Sequence, residues 1–81
     1  MITPAECKAA RGLLGWSLAR LAGRAADISE STIRNFEEGY RISDEKIVAI
    51  RRALETAGVE FNDGEPKLKA KAGMVGSRPR N

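Results

Sequence analysis

The side chains best suited to chemistry form one polar cluster: Ser29-Glu30-Ser31-Thr32, then Arg34, Asn35 and Glu38. None of them is a nucleophile with a base beside it. The sequence has no histidine, so it lacks the commonest general base and metal ligand. Cys7 is the only cysteine, which rules out an internal disulfide or a cysteine-based zinc cluster. There is no glycine-rich phosphate loop. The expectation is a protein with no catalytic residues, no metal, no cofactor and no small-molecule ligand. Short hydroxyls, an amide, a carboxylate and a guanidinium are, however, well matched to base edges. Asn bonds adenine bidentately, Glu accepts from cytosine N4, and Ser is permissive. On a helix, Glu30, Ser31, Arg34, Asn35 and Glu38 share one face, at i, i+1, i+4, i+5 and i+8.

That face requires a helix beneath it and others to hold it. Ser29 supplies an N-cap and Gly39 a left-handed stop, with Ile33 and Phe36 pointing inward. Upstream, Ser17 caps a shorter helix whose apolar stripe is Leu18, Leu21, Ala22 and Ala25. Gly23 lies outward in it, and Ala26-Asp27-Ile28 connects the two helices. Thr3-Pro4-Ala5-Glu6 is a capping box with Pro at the first helical position. The helix it starts is expected to run to Leu14, with Ala9, Ala10, Leu13 and Leu14 as its apolar stripe, and to stop at Gly15. Ser43 caps a fourth helix that carries Asp44 and Glu45 in its first turn and Ile47, Ile50 and Leu54 inward, and it ends at Gly58. Val59-Glu60-Phe61 reads as extended, 62–66 as a turn, and 67–71 as a returning strand. From about residue 73 the Gly-, Pro-, Ser- and Arg-rich composition predicts disorder.

With 81 residues the chain has room for one domain, in which association with a partner helps stability. We divide it into residues 1–61, containing the 17–39 motif, and a basic extension, 62–81. The net charge of +3 lies entirely in the extension, because residues 1–61 carry nine basic and nine acidic side chains. A basic tail of this kind either binds phosphates or is simply solvated. The sequence has no apolar run long enough to span a membrane and no basic-then-apolar leader, so a cytoplasmic protein is expected.

Two short capped helices joined by a tight turn form the unit that sets a helix into the DNA major groove. Leu14-Gly15-Trp16-Ser17, Leu21-Ala22 and the run from Ile28 to Gly39 resemble the Cro/lambda-repressor family, also called the xenobiotic-response-element family. The resemblance covers residues 5–57. It implies an all-α, four-to-five-helix DNA-binding domain with a short C-terminal extended segment. It also implies a regulator, a repressor or a dual repressor/activator, that binds a double-stranded inverted-repeat operator as a homodimer. The whole chain is similar to small bacterial regulators, including restriction-modification controller proteins.

Carried over by position, Glu30, Ser31, Arg34 and Asn35 contact bases, and Ser17, Thr32, Tyr40 and Arg41 contact phosphates. Arg11 and Glu37 match a pair that joins the first helix to the third. Two departures stand out. Leu18 occupies a position where the family usually has a phosphate-reaching Gln. The turn is one residue longer, which puts Asp27 where a Gly normally takes a positive φ; Asp tolerates that conformation better than most residues.

Simpler roles account for the rest. Trp16 is expected in the core or at a helix boundary, and Cys7 as a small helix residue. Val59 and Phe61 either cover the core or form a dimer seam, and the small domain favours the seam. An alternative function is a protein-interaction module, such as the antitoxin of a toxin–antitoxin pair, motivated by the acidic residues on the third helix.

Overall fold

The computed structural model describes residues 1–62 and 65–69. The elements are α1 (Pro4–Leu14), α2 (Leu18–Arg24), α3 (Glu30–Glu37), α4 (Asp44–Thr56), β1 (Val59–Asn62) and β2 (Glu65–Leu68). Four helices thus form the domain, with a small hairpin as its C-terminal extended segment. The expected disorder from about residue 73 lies outside the described residues, as does Lys71 at the end of the expected strand.

Side-chain caps set every helix start. Thr3 accepts from the Glu6 N–H at 3.1 Å, and the Thr3 N–H donates to Glu6 Oε1 at 2.8 Å, completing the capping box. The hydroxyls of Ser17, Ser29 and Ser43 accept from the N–H groups of Arg20, Thr32 and Lys46. Each cap satisfies one of the N–H groups that a helix start leaves unpaired.

The core draws on all four helices: Cys7 and Ala10 from α1, Leu21 from α2, Ile33 and Phe36 from α3, and Ile50, Ala53 and Leu54 from α4. Ala25, Ile28 and Val59 fill the junctions. Leu18, Ala22 and Ile47 are half-buried at its margin. Ile2 is also buried, although the sequence reading did not place it there. It sits just before the Thr3 cap, and Cys7 is four residues past that cap, which are the positions of a hydrophobic staple.

The buried face of α1 corrects the expected stripe. Ala9 is exposed and Leu13 is 42% exposed, whereas Cys7, Ala10, Arg11 and Leu14 face inward. On this face Arg11 reaches a carboxylate on α3, and a charged residue in the stripe conceals the true face.

The hairpin corrects two further expectations. The second strand starts at Glu65, inside the expected turn, and pairs Val59 with Leu68, Glu60 with Lys67, Phe61 with Pro66 and Asn62 with Glu65. β2 lies beside α1 and β1 beside α4. The Lys69 N–H donates to the Gly58 carbonyl at 2.7 Å. The folded unit therefore continues past Phe61. Val59 is fully buried within the single chain, so its side chain fills the core and is not free to form a seam. Phe61 is half-buried against the core, with the Arg51 guanidinium 5.6 Å from its ring centroid.

The turn between α2 and α3 depends on Asp27, which has φ +55° and is the one non-glycine residue with positive φ among the described residues. A left-handed residue costs roughly 1–2 kcal/mol unless it is Gly, Asn or Asp. Asp27→Val is therefore expected to lower unfolding stability by about 1–2 kcal/mol, and Asp27→Gly to be tolerated. Urea denaturation of both variants measures this, and equal stabilities would contradict the left-handed turn.

Candidate nucleic-acid interface

Buried Ile33 and Phe36 fix the rotation of α3, so its opposite face is presented to solvent. Glu30, Ser31, Arg34, Asn35 and Glu38 are all exposed there, as the spacing predicted. The first turn concentrates hydroxyls. Ser29 Oγ lies 3.1 Å from Ser31 Oγ and 2.9 Å from Thr32 Oγ1. Thr32 is half-buried and turned toward its cap, whereas Ser31 stands in solvent with further hydrogen-bonding capacity. Arg34 Nη2 donates to Glu30 Oε2 at 3.1 Å, and both side chains are about half exposed. An exposed i,i+4 pair of this kind contributes only a few tenths of a kcal/mol, roughly 0.3–0.5. Its partners can therefore be drawn to other hydrogen-bonding groups at little cost. The Asn35 side chain makes no hydrogen bond among the described residues, which leaves its amide free to bond a base edge.

The chain leaves α3 through Gly39, with φ +99°. The Tyr40 N–H donates to the Asn35 carbonyl at 2.9 Å, folding the following loop back beside the exposed face. A depression of about 510 Å³ results, lined by Thr32, Asn35, Glu38, Tyr40, Arg41, Ile42, Ser43 and Lys46. Tyr40 is 64% exposed, and Arg41 is exposed beside it. Lys46 shares this wall and was missed in the sequence reading. It carries a positive charge in the first turn of α4, where the macrodipole favours acids, and that misfit was the available signal.

Ser17 stands apart from this group at the start of α2, where its hydroxyl caps the Arg20 N–H at 3.0 Å. Leu18 beside it is half-buried against the core. It serves packing and offers no hydrogen-bonding group to a phosphate.

Behind the exposed face, α3 is tied to α1. Arg11 Nε donates to Glu37 Oε2 at 2.7 Å and Nη2 to Glu37 Oε1 at 2.8 Å, a bidentate pair, while Nη1 donates to the Trp16 carbonyl at 2.9 Å. The side chains retain only 17% and 7% exposure. The Cys7 thiol donates to Glu37 Oε2 at 3.2 Å. Burial, reinforced by the Glu37 carboxylate, pushes this thiol far above its ordinary value, so it stays protonated and acts only as a donor. Burial alone would raise the Glu37 carboxyl as well. The hydrogen bonds from Arg11 and Cys7 outweigh that effect and hold it below the usual carboxylate range. Trp16 is half-buried above this clamp, with the Arg24 guanidinium 5.7 Å from its ring centroid. Among the described residues no cluster of acidic or cysteine side chains is arranged to hold a metal, and no helix is long and apolar enough to cross a membrane.

In a comparison with known proteins, a family model described as Helix-turn-helix matches residues 8–61, well over half of the chain. No curated protein matches it. The matched span includes the Arg11–Glu37 clamp, both helices of the motif, and the loop that carries Tyr40 and Arg41.

The clamp makes two measurable predictions. Arg11→Met strands the Glu37 charge and should cost on the order of 3 kcal/mol. Arg11→Met combined with Glu37→Leu should cost clearly less, which a double-mutant cycle in urea tests. The Glu37 carboxyl is depressed in the folded state, so its contribution is present above the ordinary value of 4.5 and is lost as pH falls below it through the lowered folded value. Glu37→Gln should flatten the stability–pH curve in that window, and an unchanged slope would contradict the assignment.

Proposed function

The chain belongs to the helix-turn-helix family of the Cro/lambda-repressor kind, DNA-binding transcriptional regulators, and on that premise we propose that it is a repressor reading an inverted-repeat operator as a homodimer. One observation carries this reading: α3 exposes Glu30, Ser31, Arg34 and Asn35 together on a single face, held from behind by the Arg11–Glu37 clamp. A helix of this width fits the major groove, and its N-terminal residues are the ones that meet base edges. Asn35 bonds adenine through its free amide. Glu30 accepts from a base amino group while Arg34 donates to a guanine edge, and Ser31 adapts to either.

Phosphate contacts set the register around these residues. Ser17 at the start of α2 flanks one side, and Thr32, Tyr40 and Arg41 flank the other, with Lys46 added beside them. Because the charges of residues 1–61 balance, that part adds little non-specific attraction to DNA, and any such attraction comes from the net +3 of residues 62–81. Affinity then depends on having the right bases and on two half-sites being bound together. Half-sites about 34 Å apart, one helical turn, match a two-fold dimer.

Gel-shift and footprinting assays with the DNA upstream of the chain's own gene test the reading, and the absence of any specific complex at moderate salt would defeat it. Within it, Asn35→Ala is expected to relax the preference at one base position and to cost about 1–3 kcal/mol on the preferred site alone. Arg41→Ala should weaken binding to every sequence alike and reduce the salt slope by about one. The same loss from both variants on all sequences would overturn the division between base and phosphate contacts.

A further inference from the structure

Along α4, Glu45, Val48, Ala49 and Arg52 recur at i, i+3, i+4 and i+7, one continuous stripe in which Glu45, Val48 and Arg52 are exposed and Ala49 is half-buried at the core margin. Val48 is 41% exposed, an apolar residue between the charged Glu45 and Arg52. The stripe forms one side of a groove of about 460 Å³, whose other wall is Trp16, Arg24 and Ala26 from the motif's first helix and turn. No residue of α3 lines it, so it is separate from the recognition face. Glu45 and Arg52 make no ion pair among the described residues, although Glu30–Arg34 and Arg51–Glu55 pair along their own helices.

We propose that this groove receives a second copy of the chain, with α4 packing antiparallel on the partner's α4 about a two-fold axis midway between Val48 and Ala49. The spacing of the stripe makes it complementary to itself. Glu45 and Arg52 lie equally far from that midpoint, about 10 Å apart along the helix. A two-fold there sets Glu45 opposite the partner's Arg52, and Arg52 opposite the partner's Glu45. The same operation sets Val48 against the partner's Ala49. A small residue facing a branched one lets the axes approach to about 8–10 Å. Two-fold interfaces use the same patch on both subunits, and this patch has the charges, the apolar centre and the symmetry to do so. This seam is a different surface from the one expected at Val59 and Phe61, and it gives the dimer of the reading above its contact surface, so it rests on that reading for its role on DNA.

Sedimentation equilibrium on the full chain tests it. Wild-type protein should dimerise. Glu45→Arg and Arg52→Glu each place like charges across the axis twice and should weaken the dimer on the order of a hundredfold. Mixing the two variants in equal amounts pairs Arg with Glu on both sides and should restore a heterodimer, and so should the double variant with itself. Circular dichroism checks that each variant folds; Val48→Lys, in the middle of α4 and clear of its first turn, breaks the seam independently. A monomeric wild type, single reversals that leave the dimer intact, or a mixture that stays monomeric would overturn the proposal. Binding to an isolated half-site separates the two readings: monomeric reversal variants should still bind it as well as wild type. If wild type dimerises through this seam yet binds neither half-site nor full operator, the DNA reading fails and the seam stands.

Discussion

The bidentate bond between Arg11 and Glu37 is the interaction on which the arrangement depends. It joins α1 to α3 across 26 positions of sequence, at 2.7 and 2.8 Å. It also reaches the Trp16 carbonyl, just before α2, so a single guanidinium ties three helices together. A largely buried ion pair adds little net stability compared with apolar residues of the same volume, because both charges lose water. It contributes geometry. A guanidinium and a carboxylate meet in one plane and one register, so α3 has little freedom to rotate about its axis. The polar face of α3 can then point only outward. The Cys7 thiol completes the satisfaction of Glu37 and explains why a small polarisable residue occupies the core at that point.

The motif is otherwise held by inexpensive local devices. Four side-chain caps start the helices, and left-handed residues at Gly15, Gly39 and Gly58 end three of the four. Asp27 is the exception, since it takes the left-handed conformation at the centre of the motif without being glycine. It lengthens the turn relative to the family pattern without displacing Ile28 or Ile33, which are both buried. The extra residue is absorbed in the solvent-exposed turn and not in the packing, so the two helices still share a core.

The electrostatic character of the surface is unusual for a protein that meets nucleic acid. Residues 1–61 carry no net charge, and Glu30 and Glu38 lie on the exposed polar face of α3. Pairing with Arg34 keeps Glu30 from acting as an isolated repulsive charge. Four basic groups line the two depressions: Arg41 and Lys46 beside α3, and Arg24 and Arg52 around the groove of α4. Balanced charge of this kind limits the sequence-independent attraction of this unit to phosphates.

The sequence by itself determined the local structure and which residues share the polar face of α3. The caps, the glycine stops and the shared polar face of Glu30, Ser31, Arg34 and Asn35 all depend on near neighbours in the chain, and spacing reveals them directly, whereas the positive φ at Asp27 was legible only through the family resemblance. The Arg11–Glu37 pair was legible only through family resemblance, because nothing in either residue's neighbourhood points to the other. The tertiary structure decided what depends on distant contacts. It turned α1 so that Cys7 and Arg11 face inward while Ala9 and Leu13 face water. It drew Ile2 and Val59 into the core, and it placed the second strand at Glu65 beside α1. The groove between α4 and Trp16 also exists only once the helices have packed. The physical reason is the same throughout: hydrogen bonds between near neighbours repeat with the helical period and leave a pattern in the sequence, whereas the face a helix buries is chosen by whatever packs against it.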